Sequence, residues 1–469
     1  MDYWEVREAL QAVIPRQGVV SSIPRPPSYV KEKGRKSNYR QFDLKKGEFV
    51  RLERLLNVDE IKSFVEVSLR ASACPMPLNL DVWDGIVCPF NCIYCFANYF
   101  RASLYTAFFD NYKDLGLRHS NPEGVIKGLG KLFELRGQLD KAKGDVARAV
   151  ALEVPLRFGI RFEDFLPIEG VKQVSLRILK FLAEEAYPVM INTKGVVLER
   201  EEYVRALADN PAGAAVHFTI LSTEEAFVKK FEPGAPSVER RLRCCKILSD
   251  AGVRVVVRIE PFSVFWNDSR DMLEDFAGRL REAGVGHMTF DSYSYSAHSE
   301  GLARAMSATG YDYWRMFLAS SDSQWLSSFM LGLVMDWWRG QGFSCSTFDY
   351  GNVAENDDHI CCSVGDWFGD YGFNWGSGVG AIRFIRSRGG APVTWSEFEA
   401  WVEEKGGFLS PALRREVQEH WNCEGNKAFS LEWADGIEPC GFGPDGRIWR
   451  ATDRSWRKRL MEDLLGVKL

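Results

Sequence analysis

No stretch of the 469 residues is long and apolar enough to cross a membrane. The best candidate, Phe329 to Met335, is stopped by Asp336, far short of the about 20 residues a spanning helix needs. The start, MDYWEVREAL, has no basic flank leading into an apolar run, so no secretory signal is read there and a cytoplasmic protein is expected. No internal repeat of fixed period is present. Large net charge is also missing: the formal value of −5 argues against a surface that is one polyanion-binding face, while leaving room for a local basic channel. Cysteine is present in an odd number, 11, scattered over a large chain, which speaks against a disulfide scaffold and for thiols that ligate metal, react or pack.

What the chain does contain is enough apolar residue, 46%, for two or three domains with at least one large core. Residues 1–74 carry Pro15, Pro24, Pro26 and Pro27 with little periodicity, and they are expected to form an extended N-terminal lead-in, with order beginning near Pro75. Within it, Lys31 to Arg54 holds nine Lys/Arg against four Asp/Glu. That arm is a candidate nucleic-acid contact, and a solvated face is an equal alternative.

From residue 75 to 310 short β-rich runs alternate with amphipathic runs at helical spacing. The strand runs are PLNLDVW from Pro77, LRFGI from Leu156, PVMINT from Pro188, AAVHFTI from Ala214, VRVVVRIEPF from Val253 and HMTFDS from His287. The helices between them include one with Val171, Val174, Ile178 and Leu182 on one face. Another opens on Ser237 as N-cap and closes on Gly252. A further helix is expected from Ile93 to Tyr105. Single helices between strands require parallel crossovers, so the fold class is α/β, a six-fold β/α partial TIM-type barrel open on one side. After residue 310 the texture changes: twelve of the 15 Trp lie there, with the glycine-rich run GDWFGDYGFNWGSGVGAI. A separate, mixed C-terminal region at 311–469 is expected, shaping or capping a substrate pocket.

The chemistry concentrates in CPFNCIYCF. Cys88, Cys92 and Cys95 stand in a C-x3-C-x2-C spacing, directly after the first strand run. Zinc sites usually offer C-x2-C pairs in duplicate, and a redox pair would leave Cys88 idle. Three thiolates on one tight loop can hold three irons of a 4Fe-4S cluster and leave the fourth without a protein ligand. The position agrees, because barrel enzymes place their active sites at the carboxyl ends of the strands.

On this triplet, and on Tyr94 as the aromatic before its last cysteine, the chain resembles the radical S-adenosylmethionine (SAM) superfamily. The resemblance implies a 4Fe-4S cluster on Cys88, Cys92 and Cys95, with SAM bound to the open iron. One electron then splits SAM into methionine and a 5′-deoxyadenosyl radical that abstracts hydrogen. A closer resemblance runs from Asn79 to about Asp268, through LRFGIRFEDFLPIE, FEPGAPSVERRLRCCKILSDAGVRVVVRIEPF and WND. Carried by Glu232, Pro233, Gly234, Ala235, Pro236 and Arg240, it is to the spore photoproduct lyase-like branch. The implied substrate is a nucleic acid or nucleobase, and the implied reductant a flavodoxin or ferredoxin. One departure bears on mechanism: no cysteine occurs from Phe96 to Arg243, where the lyase carries its hydrogen-atom donor. The same chemistry on a peptide or small metabolite, or a non-catalytic iron–sulfur protein, is the alternative.

Around the cluster, Lys194 at the end of the third strand run resembles the SAM-contacting lysine of that branch. Thr193, His217, Thr219, Ser222, Arg258 and Glu260 lie in or just after strand runs. They are candidates for the ribose, carboxylate or sulfonium of SAM, with pairing of Arg258 to Glu260 as the plain alternative. Cys244 and Cys245 read as helix packing. Tyr293, Tyr295, Cys361 and Cys362 are candidates for a radical or hydrogen relay. His359, Cys361 and Cys362, with Cys345, Cys423 and Cys440, are candidates for a second metal site. The C-terminal Trp and Tyr read first as packing and second as base-stacking platforms.

Overall fold

The computed structural model describes residues 2–13, 59–61, 68–69, 78–85, 88–95, 117–160, 162–292, 322–347, 349, 352, 376–405, 407, 411–422, 431, 434–453 and 462. Its centre is a sheet of seven parallel strands: β1 (Leu78–Leu80), β2 (Leu156–Phe158), β3 (Val189–Thr193), β4 (Ala214–Thr219), β5 (Arg254–Phe262), β6 (His287–Ser292) and β7 (Ser344–Thr347). Each pairs in parallel with the next in chain order, and Ser68–Leu69 adds an antiparallel edge beside β1. Unbroken chain order means the sheet never reverses direction. It therefore lacks the switch point of a doubly wound sheet and progresses as a barrel does. No pairing of β1 with β7 closes it among the described residues.

The six expected strands are all present. A seventh comes from beyond residue 310, where the C-terminal region was expected to begin, so the sheet and the helix α7 (Asp322–Gly340) continue past that boundary. Trp338 of α7 is fully buried in the main core and meets Phe276 and Phe290.

Helices α2 (Pro122–Phe133), α3 (Val174–Glu184), α4 (Glu201–Ala208), α5 (Val238–Asp250) and α6 (Arg270–Glu282) lie in the crossovers. Their sequences dictate the buried face: α6 buries Met272, Leu273, Phe276 and Leu280, each contributing about 1.5–3 kcal/mol. Ser237 caps α5 by accepting from the Arg240 amide, and Gly252 beyond its end has φ +82°. The apolar face predicted from Val171 to Leu182 is shorter than expected. Gln173, at φ +53°, breaks the helix, leaving Val171 67% exposed while Val174, Ile178 and Leu182 are buried.

Nor is the N-terminus only a lead-in. Helix α1 (Tyr3–Val13) buries Tyr3, Trp4, Val6 and Leu10 in the main core, so order begins here and not near Pro75. Fully buried Asp268 fastens it, taking the Tyr3 hydroxyl and the Arg7 guanidinium, with Nε 2.8 Å away. The basic arm lies outside the described residues. A second core forms around Trp395, Trp421 and Trp449, between three helices and a two-stranded hairpin, Ile437–Gly443 and Gly446–Ala451. These tryptophans are packing residues.

Candidate functional site

The loop leaving β1 is held from below by buried carboxylates. One oxygen of Asp164 accepts the amides of Val82 and Trp83, both at 2.9 Å, and the other accepts from Gly159 at 3.0 Å. This ties the exit of β1 to the exit of β2. Burial drives the Asp164 carboxyl well above the usual range, and neighbouring Asp81 pushes the same way. Glu169, also buried, accepts from the Trp83 indole at 2.8 Å, from the amides of Val174 and Leu176 that open α3, and from the Tyr203 hydroxyl.

Cys88–Cys95 then makes two tight turns, closed by Asn91 N–H to Cys88 O at 2.9 Å and Cys95 N–H to Cys92 O at 3.2 Å. Asn91, at φ +48°, takes the left-handed conformation that asparagine tolerates. Cys92 is buried and its neighbours Cys88 and Cys95 are half-buried. The loop lies against the segment from Phe231 to Ala235: Ile93 donates to Phe231 O and Gly234 donates to Phe90 O, each at 3.0 Å. Only glycine fits at 234, since a Cβ there would stand 2.1 Å from the Pro89 carbonyl oxygen.

Tyr94 points into the protein. Its hydroxyl donates to Glu232, which pairs at 2.7 Å with Arg241 on α5, both side chains essentially without exposure. Arg241 in turn donates to Thr219 O, at the end of β4, at 2.8 Å. A chain of two hydrogen bonds and one ion pair thus runs from the cysteine loop across to the fourth strand.

From β3 comes the cation. Lys194 sets its ammonium 5.3 Å from the Tyr94 ring centroid, while its own amide donates to Glu163 at 2.9 Å. Glu163 also accepts from the Thr193 hydroxyl at 2.5 Å, so the turn after β3 is built on an acid from the loop after β2. Burial works against the Lys194 charge, but Cys92, Glu232 and Cys95 outweigh it and hold the ammonium above its ordinary value. Burial pushes the Cys92 thiol strongly up, with Lys194 as the leading opposing influence.

The remaining candidates sit along the sheet. Thr219, Arg258 and Thr289 stand side by side on β4, β5 and β6, and His217 sits one pleat below Thr219, beside Asn192. Glu260 pairs with Arg258 and accepts from Thr289 at 3.0 Å. The plain alternative for that pair is therefore present. Buried Ser222 accepts from the Glu224 amide and lines a cavity of about 100 Å³ with Arg7, Trp266 and Asp268. The structure thus gathers Cys88, Cys92, Cys95, Tyr94 and Lys194, and puts Thr193 just behind them. His217 lies on β4, and Arg258 and Glu260 pair with each other on β5.

Tyr293, Tyr295, Cys361 and Cys362, with His359 and Cys423, lie outside the described residues. Of the other second-site candidates, Cys345 is buried in β7 within the main core, whereas Cys440 is exposed on the C-terminal hairpin. Cys244 and Cys245 are packed on α5 and pushed up by burial, as inert thiols are. Glu163, Asp164 and Glu169 are site residues that the sequence alone does not single out, and Glu232 stands there only as a mark of resemblance. The available signal was acids set directly behind a strand run, in FGIRFEDF.

Among the described residues no three His, Cys, Asp or Glu are arranged to hold a metal ion. Cys88 and Cys95 are nevertheless within electrostatic reach of Cys92. A zinc site gathers its donors within about 2.0–2.3 Å of one point, whereas in an iron–sulfur cluster each cysteine takes its own iron. Three thiols on one loop match the second demand in number, and the cations Lys194 and Arg241 near Cys92 suit an anionic group.

No family model and no curated protein matches the chain. Solved structures do. A tyrosine-to-phenylalanine variant of spore photoproduct lyase aligns over 64% of this chain and 85% of its own, at 14% identity and a TM-score of 0.42. Another variant of that lyase, with bound S-adenosylmethionine and dinucleoside spore photoproduct, aligns over 56% and 69%, at 13% identity and a TM-score of 0.39. Streptococcus suis SuiB bound to S-adenosylmethionine aligns over 59% of this chain and 51% of its own, at 12% identity and a TM-score of 0.37.

Proposed function

We propose that the chain is a radical SAM enzyme that acts on a nucleic acid or nucleobase. Cys88, Cys92 and Cys95 hold a 4Fe-4S cluster by three of its irons. Lys194, at the end of β3, offers its ammonium to the carboxylate of SAM, while Thr193 and Glu163 keep that turn in place. His217, Arg258 and Glu260 supply polar groups toward the rest of the cofactor. A cluster held there, given one electron by a flavodoxin- or ferredoxin-type donor, would supply the reductive cleavage of SAM to methionine and a 5′-deoxyadenosyl radical. The hydrogen donor that ends the reaction is not a cysteine shortly after the cluster loop, since the chain has none there.

The observation that carries the reading is the three-thiol loop at the carboxyl end of β1, with the Lys194 ammonium beside its aromatic residue. Anaerobic reconstitution with iron and sulfide, then dithionite and SAM, tests it by release of 5′-deoxyadenosine. Cluster-replete protein that yields none would reduce the chain to a cluster-binding protein. For the substrate, binding to DNA or RNA that weakens steeply with salt is expected. Binding that is absent, or indifferent to salt, would turn the reading toward a peptide or small metabolite.

A further inference from the structure

The strongest feature outside the ligand set is a buried ion pair wired to the cysteine loop. Glu232 and Arg241 lie 2.7 Å apart with 1% and 0% side-chain exposure, and they touch the loop through the Tyr94 hydroxyl. Stability alone is a weak reason for such a pair, because hydrophobic residues of similar volume commonly serve a core as well or better. This one also touches the residue that stands between Cys92 and Cys95, so both its charges lie close behind the loop that carries the thiols. Arg241 is anchored a second time, on Thr219 O, so the pair is fixed to the sheet and not to a mobile side chain. Backbone contacts at Gly234 and Ile93 hold the same segment against the loop.

We propose that Glu232 and Arg241 are positioning residues whose opposed charges balance each other at the cluster and so keep its reduction potential from shifting either way, with Tyr94 as the strut that keeps the cysteine loop at a fixed distance from them. The inference rests on the cluster reading above and goes beyond it. Reduction adds one negative charge to the cluster. A fixed anion at Glu232 therefore opposes it and a fixed cation at Arg241 favours it, most strongly where water is excluded. Held together the two nearly cancel; separated, they act in opposite directions. Tyr94 makes the arrangement specific, because its hydroxyl is the side-chain link between loop and pair.

The test is a redox titration of the reconstituted full-length chain with dithionite, followed by electron paramagnetic resonance. Glu232→Gln is expected to move the midpoint to a more positive potential and Arg241→Met to a more negative one. The double variant should return toward the unsubstituted chain, and Glu232→Asp, which keeps the charge, should stay near it. A pair too remote to act on the cluster predicts no such opposition of sign. Midpoints that do not move, or that move the same way in both single variants, overturn the proposal. If the charge variants fail to fold, Tyr94→Phe decides: it keeps both charges and loses the strut. Iron should then pass to a chelator several-fold faster, and an unchanged rate overturns the proposal. Failure of the unsubstituted chain to take up a cluster removes the functional reading and the inference with it, whereas a normal cluster with indifferent potentials removes only the inference.

Discussion

Gly234→Ala tests whether the cysteine loop depends on the contact that the fold describes. An added Cβ would lie 2.1 Å from Pro89 O, 3.0 Å from Phe90 Cα and 3.1 Å from Phe90 C. All three are backbone atoms, so no side chain can swing aside. Restoring ordinary contact requires the loop to retreat by at least about 1.3 Å, an overpacking strain of about 1–3 kcal/mol. The same movement stretches two 3.0 Å hydrogen bonds, Gly234 to Phe90 and Ile93 to Phe231, each contributing about 0.5–1.5 kcal/mol. A local cost of about 2–6 kcal/mol follows, falling on the loop and not on the sheet. Iron bound per chain after reconstitution should drop at least several-fold while the far-ultraviolet circular dichroism is unchanged. Gly278→Ala on α6 is the control: its Cβ meets nothing within 4 Å, and the change should stabilise by about 0.5–1 kcal/mol. Normal iron loading in Gly234→Ala would refute the claim that the Phe231 to Ala235 segment supports the loop.

Two further outcomes follow from buried charge. Burial, only partly offset by four donors, holds the native Glu169 carboxyl above its unfolded value. Between those two values the native chain binds more protons than the unfolded one. Stability should therefore fall as pH rises from about 4.3 through the native value, then level off. In Glu169→Gln that part of the urea-midpoint profile should flatten, at a cost of about 2–4 kcal/mol from amide hydrogens facing two of the donors; an unchanged slope would refute the assignment. Arg7→Ala leaves fully buried Asp268 with, among the described residues, only the Tyr3 hydroxyl, and should cost about 3–5 kcal/mol. Limited proteolysis should then release α1, and a resistant N-terminus would contradict its docking.

The six strands from Leu78 to Ser292 were legible because each is a short β-rich run between helical runs, a pattern that depends only on neighbours in the chain. Ser344–Thr347 was not legible. SCST is four residues of small and polar side chains, and it becomes a strand only because the edge of β6 is there to receive it. Helix α1 was missed for a related reason: its eleven residues stand before a proline-rich stretch, and its partner Asp268 is 261 residues away from Arg7.

At the site, the spacing of Cys88, Cys92 and Cys95 is a local property, so the sequence alone offered the candidate donor set and the strand end on which it sits. Lys194 was readable too, as a cation at a strand terminus. Tertiary structure alone decided what surrounds them: that Tyr94 faces inward, and that Glu232 and Arg241 are its continuation. It also decided that Glu163 and Asp164 brace two different strand exits. A buried carboxylate is stable only when distant donors converge on it, and no pattern of neighbouring residues encodes that convergence.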